Sequence, residues 1–165
     1  MLDYKDAIMA SATPKCHRDR LSADVNDASG RESVFAAAGH GSTLMITEGL
    51  LMYLPAATIE ALAATASVSY WMLDAASAEM SRRVRMDQYE SIENVRAADH
   101  LDGLQILGVL DRHGWIGLRR FGYGTDVMQF AAERVMAIFR NLPPDQFPKP
   151  LPPSDPSGVH LFGRH

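Results

Sequence analysis

Three carboxylates stand near the ends of candidate strands: Asp24 within residues 20–25, Glu48 after Thr43–Thr47, and Asp74 after Val68–Leu73. Open α/β sheets bind ligands beyond the carboxyl ends of their strands, so acids in such places can hold an amine or a cationic group. Each also has a plainer reading: Asp24 and Asp74 as helix caps, Glu48 as an acid capping the next turn. Tyr53 is open in the same way, either a core ring with its hydroxyl at the surface or a contact to substrate. The histidines at 17, 40, 100, 113, 160 and 165 never fall at the three- or four-residue spacing of a helical zinc site. No Gly-x-Ser-x-Gly elbow surrounds Ser42, which argues against a serine hydrolase.

The elements that must position these residues alternate strand and helix, the pattern of an α/β sheet with crossover connections. Asp3–Ala12 reads as a helix stopped by Thr13-Pro14, because a residue before proline is pushed out of the α region. Residues 20–25 read as a short strand, and Asn26 or Asp27 caps a helix that runs to about Ala38 and ends at Gly39 and Gly41. Thr43–Thr47 is a continuous apolar run, the signature of a buried parallel strand covered on both faces. Pro55 opens a helix whose apolar face is Ile59, Leu62 and Ala63, and Val68–Leu73 is a third strand. Residues 76–98 are charged and weakly periodic, which predicts one or two exposed helices. Leu101, Leu104, Leu107 and Leu110 predict a short helix with one narrow face, stopped by Gly114, with Arg112 and His113 in its last turn. Trp115–Phe121 is a fourth strand, placed at an edge by Arg119 and Arg120. Thr125 caps a last helix bearing Val127, Met128, Ala131, Val135, Ile138 and Phe139. Most of the nine prolines fall in 141–157, an extended surface connection leading to a final strand at Val159–Phe162.

Composition excludes several classes. With 165 residues, 47% hydrophobic and 22% charged, the chain has the length and content of one globular domain. A net charge of −4 and scattered basic residues argue against a nucleic-acid partner. Cys16, the single cysteine, excludes an internal disulfide and a multi-cysteine zinc site. The apolar stretch Thr43–Leu73 is broken by Glu48, Pro55 and Glu60, too often for a membrane span. No basic region followed by an apolar one opens the sequence, so the expectation is a soluble cytoplasmic protein.

The run Thr43-Leu-Met-Ile-Thr-Glu48-Gly-Leu-Leu-Met-Tyr53-Leu-Pro55 resembles the strand-four motif of the leucine carboxyl methyltransferase family, which includes polyketide-type O-methyltransferases. Arg20-Leu-Ser-Ala-Asp24-Val25-Asn-Asp27 resembles that family's strand-three motif, and Tyr4-Lys5 the helix after strand two. Leu107–Trp115 resembles the last helix leading into strand six, so the likeness runs over nearly the whole chain. The resemblance implies a Rossmann-like class I methyltransferase fold, a seven-stranded, mostly parallel sheet with an antiparallel last strand. It implies S-adenosyl-L-methionine as cofactor, with Asp24 and Val25 bordering the adenine and Glu48 at the methionine end. It also implies transfer of the sulfonium methyl to a carboxylate or hydroxyl of a small molecule, with substrate contacts in residues 76–100 and, on one reading, at Tyr53. The acceptor stays open.

The family's glycine-rich turn after strand one and its ribose-binding acid after strand two have no counterpart in the sequence. Gly39-His-Gly41-Ser42 does not substitute, because it precedes a strand, whereas a cofactor-cradling turn follows one and opens a helix. The resemblance therefore implies a single N-terminally truncated domain over residues 1–165, without the two central strands between 20–25 and 43–47 and inactive alone. Its 43–47 strand would keep an unpaired edge that invites self-association. The alternative is a non-catalytic remnant, or a module that completes its sheet with another chain.

Overall fold

A computed structural model describes residues 8, 15–39, 41–82, 95–124, 126–140, 143 and 151–164. The chain divides into two compact units, Met1–Gly39 and His40–His165.

The first unit holds one described helix, α1, at Ala28–Ala38. Residues 20–25, expected as a strand, form none. The cause is local. Asp24 Oδ1 accepts from the Asn26 backbone N–H at 2.9 Å and from Asn26 Nδ2 at 3.0 Å. Side-chain bonds of this kind offer the backbone a turn in place of a strand ladder. Arg31 Nη1 then donates to Val25 O at 2.8 Å and Asn26 O at 2.9 Å, tying that turn to the start of α1. Asp27 occupies the N-cap position without a side-chain capping bond, and Gly39 ends the helix at φ 72°. The helix expected over 3–12 lies outside the described residues, apart from Ile8, which is helical.

The second unit is mixed α/β. Its open four-stranded sheet contains β1 (Leu44–Thr47), β2 (Tyr70–Ala75), β3 (Ile116–Gly122) and β4 (Gly158–Gly163), in the order β1-β2-β4-β3. β1 and β2 are parallel, Leu44 opposite Tyr70 and Thr47 opposite Leu73. β4 lies antiparallel to both β2 and β3, so β1, β2 and β3 all run one way and the last strand runs against them. The final strand is thus internal, and β3, with its arginines, takes the far edge. A register shift between Gly117 and Arg119 interrupts the β3–β4 ladder.

Helix α2 (Ala56–Thr65) connects β1 to β2, with Pro55 at its N-cap and Ile59, Leu62 and Ala63 buried. Helix α3 (Gly103–Arg112) begins in a capping box, Asp102 accepting from Gln105 N at 3.0 Å while Gln105 Oε1 accepts from Asp102 N at 2.9 Å. Its buried face is Gly103, Ile106, Val109 and Leu110, whereas Leu104 is exposed. The three-residue leucine spacing therefore misplaces the face; a stripe at i, i+3, i+4 fits a 3.6-residue turn. Gly114, at φ 77°, ends this element. Residues 78–82 are helical, and the rest of the 83–94 stretch lies outside the described residues. Helix α4 (Val127–Phe139) kinks at Ala131 (φ −134°); the expected cap Thr125 is outside the described residues. Of the proline-rich connection, 151–157 is neither helix nor strand, and most of 141–150 lies outside the described residues.

The core sits on one face of the sheet. Trp71, Leu73, Ala75 and Phe162 share the face on which α3 meets β2 and are buried. Trp71 meets Trp115 edge-on, with centroids 5.4 Å apart. Both indole N–H groups are satisfied, Trp71 Nε1 donating to Thr47 Oγ1 at 2.9 Å and Trp115 Nε1 to Ala63 O at 3.0 Å.

The opposite face is apolar and open. Leu44 and Ile46 of β1 are 47% and 57% exposed, Tyr70 of β2 is 42%, and Ile116 and Leu118 of β3 are 49% and 52%. β1 is parallel as expected, but it is not the doubly covered strand that its composition suggested. Its outer edge pairs with no strand among the described residues. Among the described residues no helix is long and apolar enough to cross a membrane.

Candidate functional site

The carboxyl ends of β1, β2 and β3 converge at one end of the sheet, where β4 starts: Gly158 lies opposite both Ala75 and Gly122. Glu48 leaves β1 there, Asp74 is the penultimate residue of β2, and Tyr123 follows β3. Gly49, at φ 57°, turns the chain back so that its N–H donates to Asp74 Oδ1 at 2.8 Å. A glycine suits this left-handed position. Tyr123 is set by its backbone N–H, which donates to Ser157 O at 3.0 Å. Glu48, Asp74 and Tyr123, with Ile46, Thr47, Met72, Leu73 and Val159, line a cavity of about 130 Å³.

The electrostatics of this corner are one-sided. Burial pushes the Tyr123 phenol above its ordinary pKa, and the charges of Asp74 and Glu48 push it the same way. Neither carboxylate forms an ion pair with a Lys, Arg or His among the described residues. Two acids without an ion-pair partner among the described residues, beside a phenol held in its protonated form, present oxygens that can accept from a cationic or amine-bearing group. Among the described residues no three His, Cys, Asp or Glu side chains converge as a metal site would need.

Asp74 also borders a second cavity of about 260 Å³, lined by Met52, Ala76, Ala78, Ser81, Arg82, Arg96, His100, Leu101, Asp102, Gly103 and Ile106. Several of these belong to the 76–100 stretch from which substrate contacts were expected. Ser77 shapes the wall: its N–H donates to Ser157 Oγ at 2.9 Å, its Oγ donates to Asp155 Oδ2 at 2.8 Å, and it accepts from Met80 N at 2.9 Å. Burial alone would raise the Asp155 carboxyl, but hydrogen bonds from Ser157 and Ser77 and the Arg120 charge hold it below its ordinary value. Arg120 also donates to Asp155 O. This clamp fastens the end of the proline-rich connection to the strand ends.

Of the residues singled out in the sequence, Glu48 stands at the smaller cavity with Asp74 beside it. Tyr53, in a 3-10 turn at Leu51–Tyr53, lies under the Arg96 guanidinium, 5.7 Å from ring centroid to Cζ, and does not line either cavity. Asp24 and Val25 belong to the first unit, where Asp24 is exposed and engaged by Asn26. Tyr123 and Arg96 were not singled out. Tyr123 follows a strand's carboxyl end, the same positional signal that marked Glu48; Arg96 carries no comparable signal, since its setting depends on distant partners. No protein-family model matches the chain, and no curated protein matches it.

Proposed function

We propose that the chain is part of an S-adenosylmethionine-dependent O-methyltransferase of the Rossmann-like class I fold, acting on a carboxylate or hydroxyl of a small molecule. The observation that carries this reading is the acidic corner, Glu48 with Asp74, without an ion-pair partner among the described residues, at the ends of two adjacent co-directional strands and next to a second cavity. The reversed last strand among three co-directional ones supports it, being the sheet polarity that the resemblance implies. The residues present fit the methionine end of the cofactor: Glu48 can accept from its ammonium, and hydrogen bonds to charged groups contribute roughly 1.5–3 kcal/mol each.

The cofactor, when bound, supplies an electrophilic methyl group. The protein's task is to hold the acceptor oxygen in line, about 3–3.5 Å from the methyl carbon, so positioning supplies much of the acceleration. The larger cavity, which shares Asp74 with the smaller, is the place for the acceptor. A carboxylate acceptor needs no general base; a hydroxyl benefits from one.

The test is titration of S-adenosylmethionine onto the protein. Binding is expected to be millimolar or weaker without the glycine-rich turn and ribose acid, each lost contact removing about 1–3 kcal/mol. Glu48→Ala should weaken it about tenfold or more, and His113→Ala should leave it unchanged. Equal effects of the two substitutions would remove the basis for assigning Glu48 to the cofactor.

A second reading, a module that completes its sheet with another chain, is favoured by the open face at Leu44, Ile46, Tyr70, Ile116 and Leu118 and by the unpaired β1 edge.

A further inference from the structure

One arginine of the larger cavity, Arg96, has no ion-pair partner among the described residues. Arg82 is answered by Glu79, at 2.8 Å. Asp74 and Asp102 also line the cavity and accept backbone hydrogen bonds, from Gly49 N and Gln105 N, but neither forms an ion pair with Arg96. Arg96 has no carboxylate partner among the described residues. Its Nη2 reaches only the thioether of Met52, at 3.8 Å, and its guanidinium lies over Tyr53. Its Nε is cut off from solvent and has no hydrogen-bond partner. A desolvated donor left unpaired is destabilising, and a guanidinium is satisfied best by two oxygens of one planar anion. His100 stands on the same wall, its Nδ1 donating to Ala97 O at 2.8 Å, so it offers the carboxylate no N–H of its own in the neutral ring.

From this we infer that the cavity binds a small organic carboxylate, with Arg96 as its anchor and Met52, Leu101 and Ile106 as its apolar walls. An apolar cavity of about 150 Å³ admits a benzene ring, so the 260 Å³ here admits a ring with a short carboxylate arm. The cation-π contact to Tyr53 and the Met52 sulfur hold the guanidinium in place before the ligand arrives, so little ordering is left for binding. The inference deepens the methyl-transfer reading, which places the acceptor in this cavity, but it is tested without the cofactor, so failure of carboxylate binding and failure of cofactor binding are read separately.

The test uses the intact chain without S-adenosylmethionine and compares phenylacetate with phenylacetamide, which has the same shape and no charge. Phenylacetate should bind about tenfold tighter or more, the margin of a hydrogen bond to a charged group, and should shift the Arg96 guanidinium resonances, its terminal N–H groups being the ones that meet the ligand. Arg96→Gln should abolish the preference, and Arg119→Gln, on the exposed β3 edge away from the cavity, should leave it intact. Failure of phenylacetate to bind, equal affinity for the two probes, or an unmoved Arg96 resonance in the unsubstituted protein overturns the inference. Persistence of the preference in folded Arg96→Gln protein does so too.

Discussion

Replacing Ile46 by lysine separates a sheet face that is bare in the isolated chain from one that is covered. Ile46 points to the open face and is 57% exposed. Full burial of an isoleucine side chain contributes roughly 1.5–3 kcal/mol, so less than half of that, about 1 kcal/mol, is at stake in the monomer. The lysine stem can lie along Leu44 and Met72 with its ammonium in water, which lowers the cost further. On the other side of the ledger, an edge reading Leu-Met-Ile-Thr with no charge is a template for another strand, and a lysine there opposes pairing. The unsubstituted chain should therefore self-associate with increasing concentration, as light scattering behind size-exclusion chromatography would register. Ile46→Lys should be monomeric, with urea-derived stability within about 1 kcal/mol of the parent measured at its lowest concentration. A parent that is a sharp monomer at every concentration, together with a loss of 3 kcal/mol or more in the variant, would show that the chain covers this face itself.

Other expectations follow from single contacts. Asp102→Ala removes one half of the α3 capping box and should cost about 1 kcal/mol in thermal or denaturant unfolding; an unchanged midpoint would mean the box contributes nothing. His160 is held below its ordinary pKa chiefly by burial, against the opposing hydrogen bond from its Nε2 to Pro156 O and with help from Arg120. Between that depressed value and the unfolded one, near 6.5, the unfolded chain binds more protons, so stability is full above 6.5 and declines as pH falls below it. His160→Gln should flatten the stability profile between about pH 7 and 5, and a slope that survives the substitution assigns it elsewhere. Glu60 is held below its ordinary value by hydrogen bonds from His113 and Arg112, so its share of stability is present at neutral pH and lost only on acidification through the carboxylate range. Glu60→Gln should remove that acid-range decline.

Much of the second unit was legible because its signals are local. The apolar run at 43–47, Pro55 ahead of Ile59, Leu62 and Ala63, and the run at 68–73 together spell a strand, a helix and a parallel strand. Arg119 and Arg120 marked the β3 edge because a buried strand would have left their charges without water. What failed was decided by competition or by tertiary context. Residues 20–25 have strand-compatible composition, but Asp24 bonds to Asn26 and the chain turns instead. On α3 the leucine count pointed to one face while Ile106 and Val109, packed toward the sheet, set the other. At the site, Glu48 and Asp74 were visible from their place at strand ends. Arg96 was not, since its importance arises only when Met52 and Tyr53 are brought against it from far along the chain.

The most direct test of the acidic corner is to follow backbone amide resonances while S-adenosylmethionine is added at millimolar concentration. The account predicts shifts concentrated at Glu48, Gly49, Asp74 and Tyr123, reproduced in part by L-methionine amide, which offers an ammonium without a competing carboxylate, and abolished by Glu48→Ala. Shifts that are absent, or that gather away from these strand ends and persist in Glu48→Ala, would contradict it.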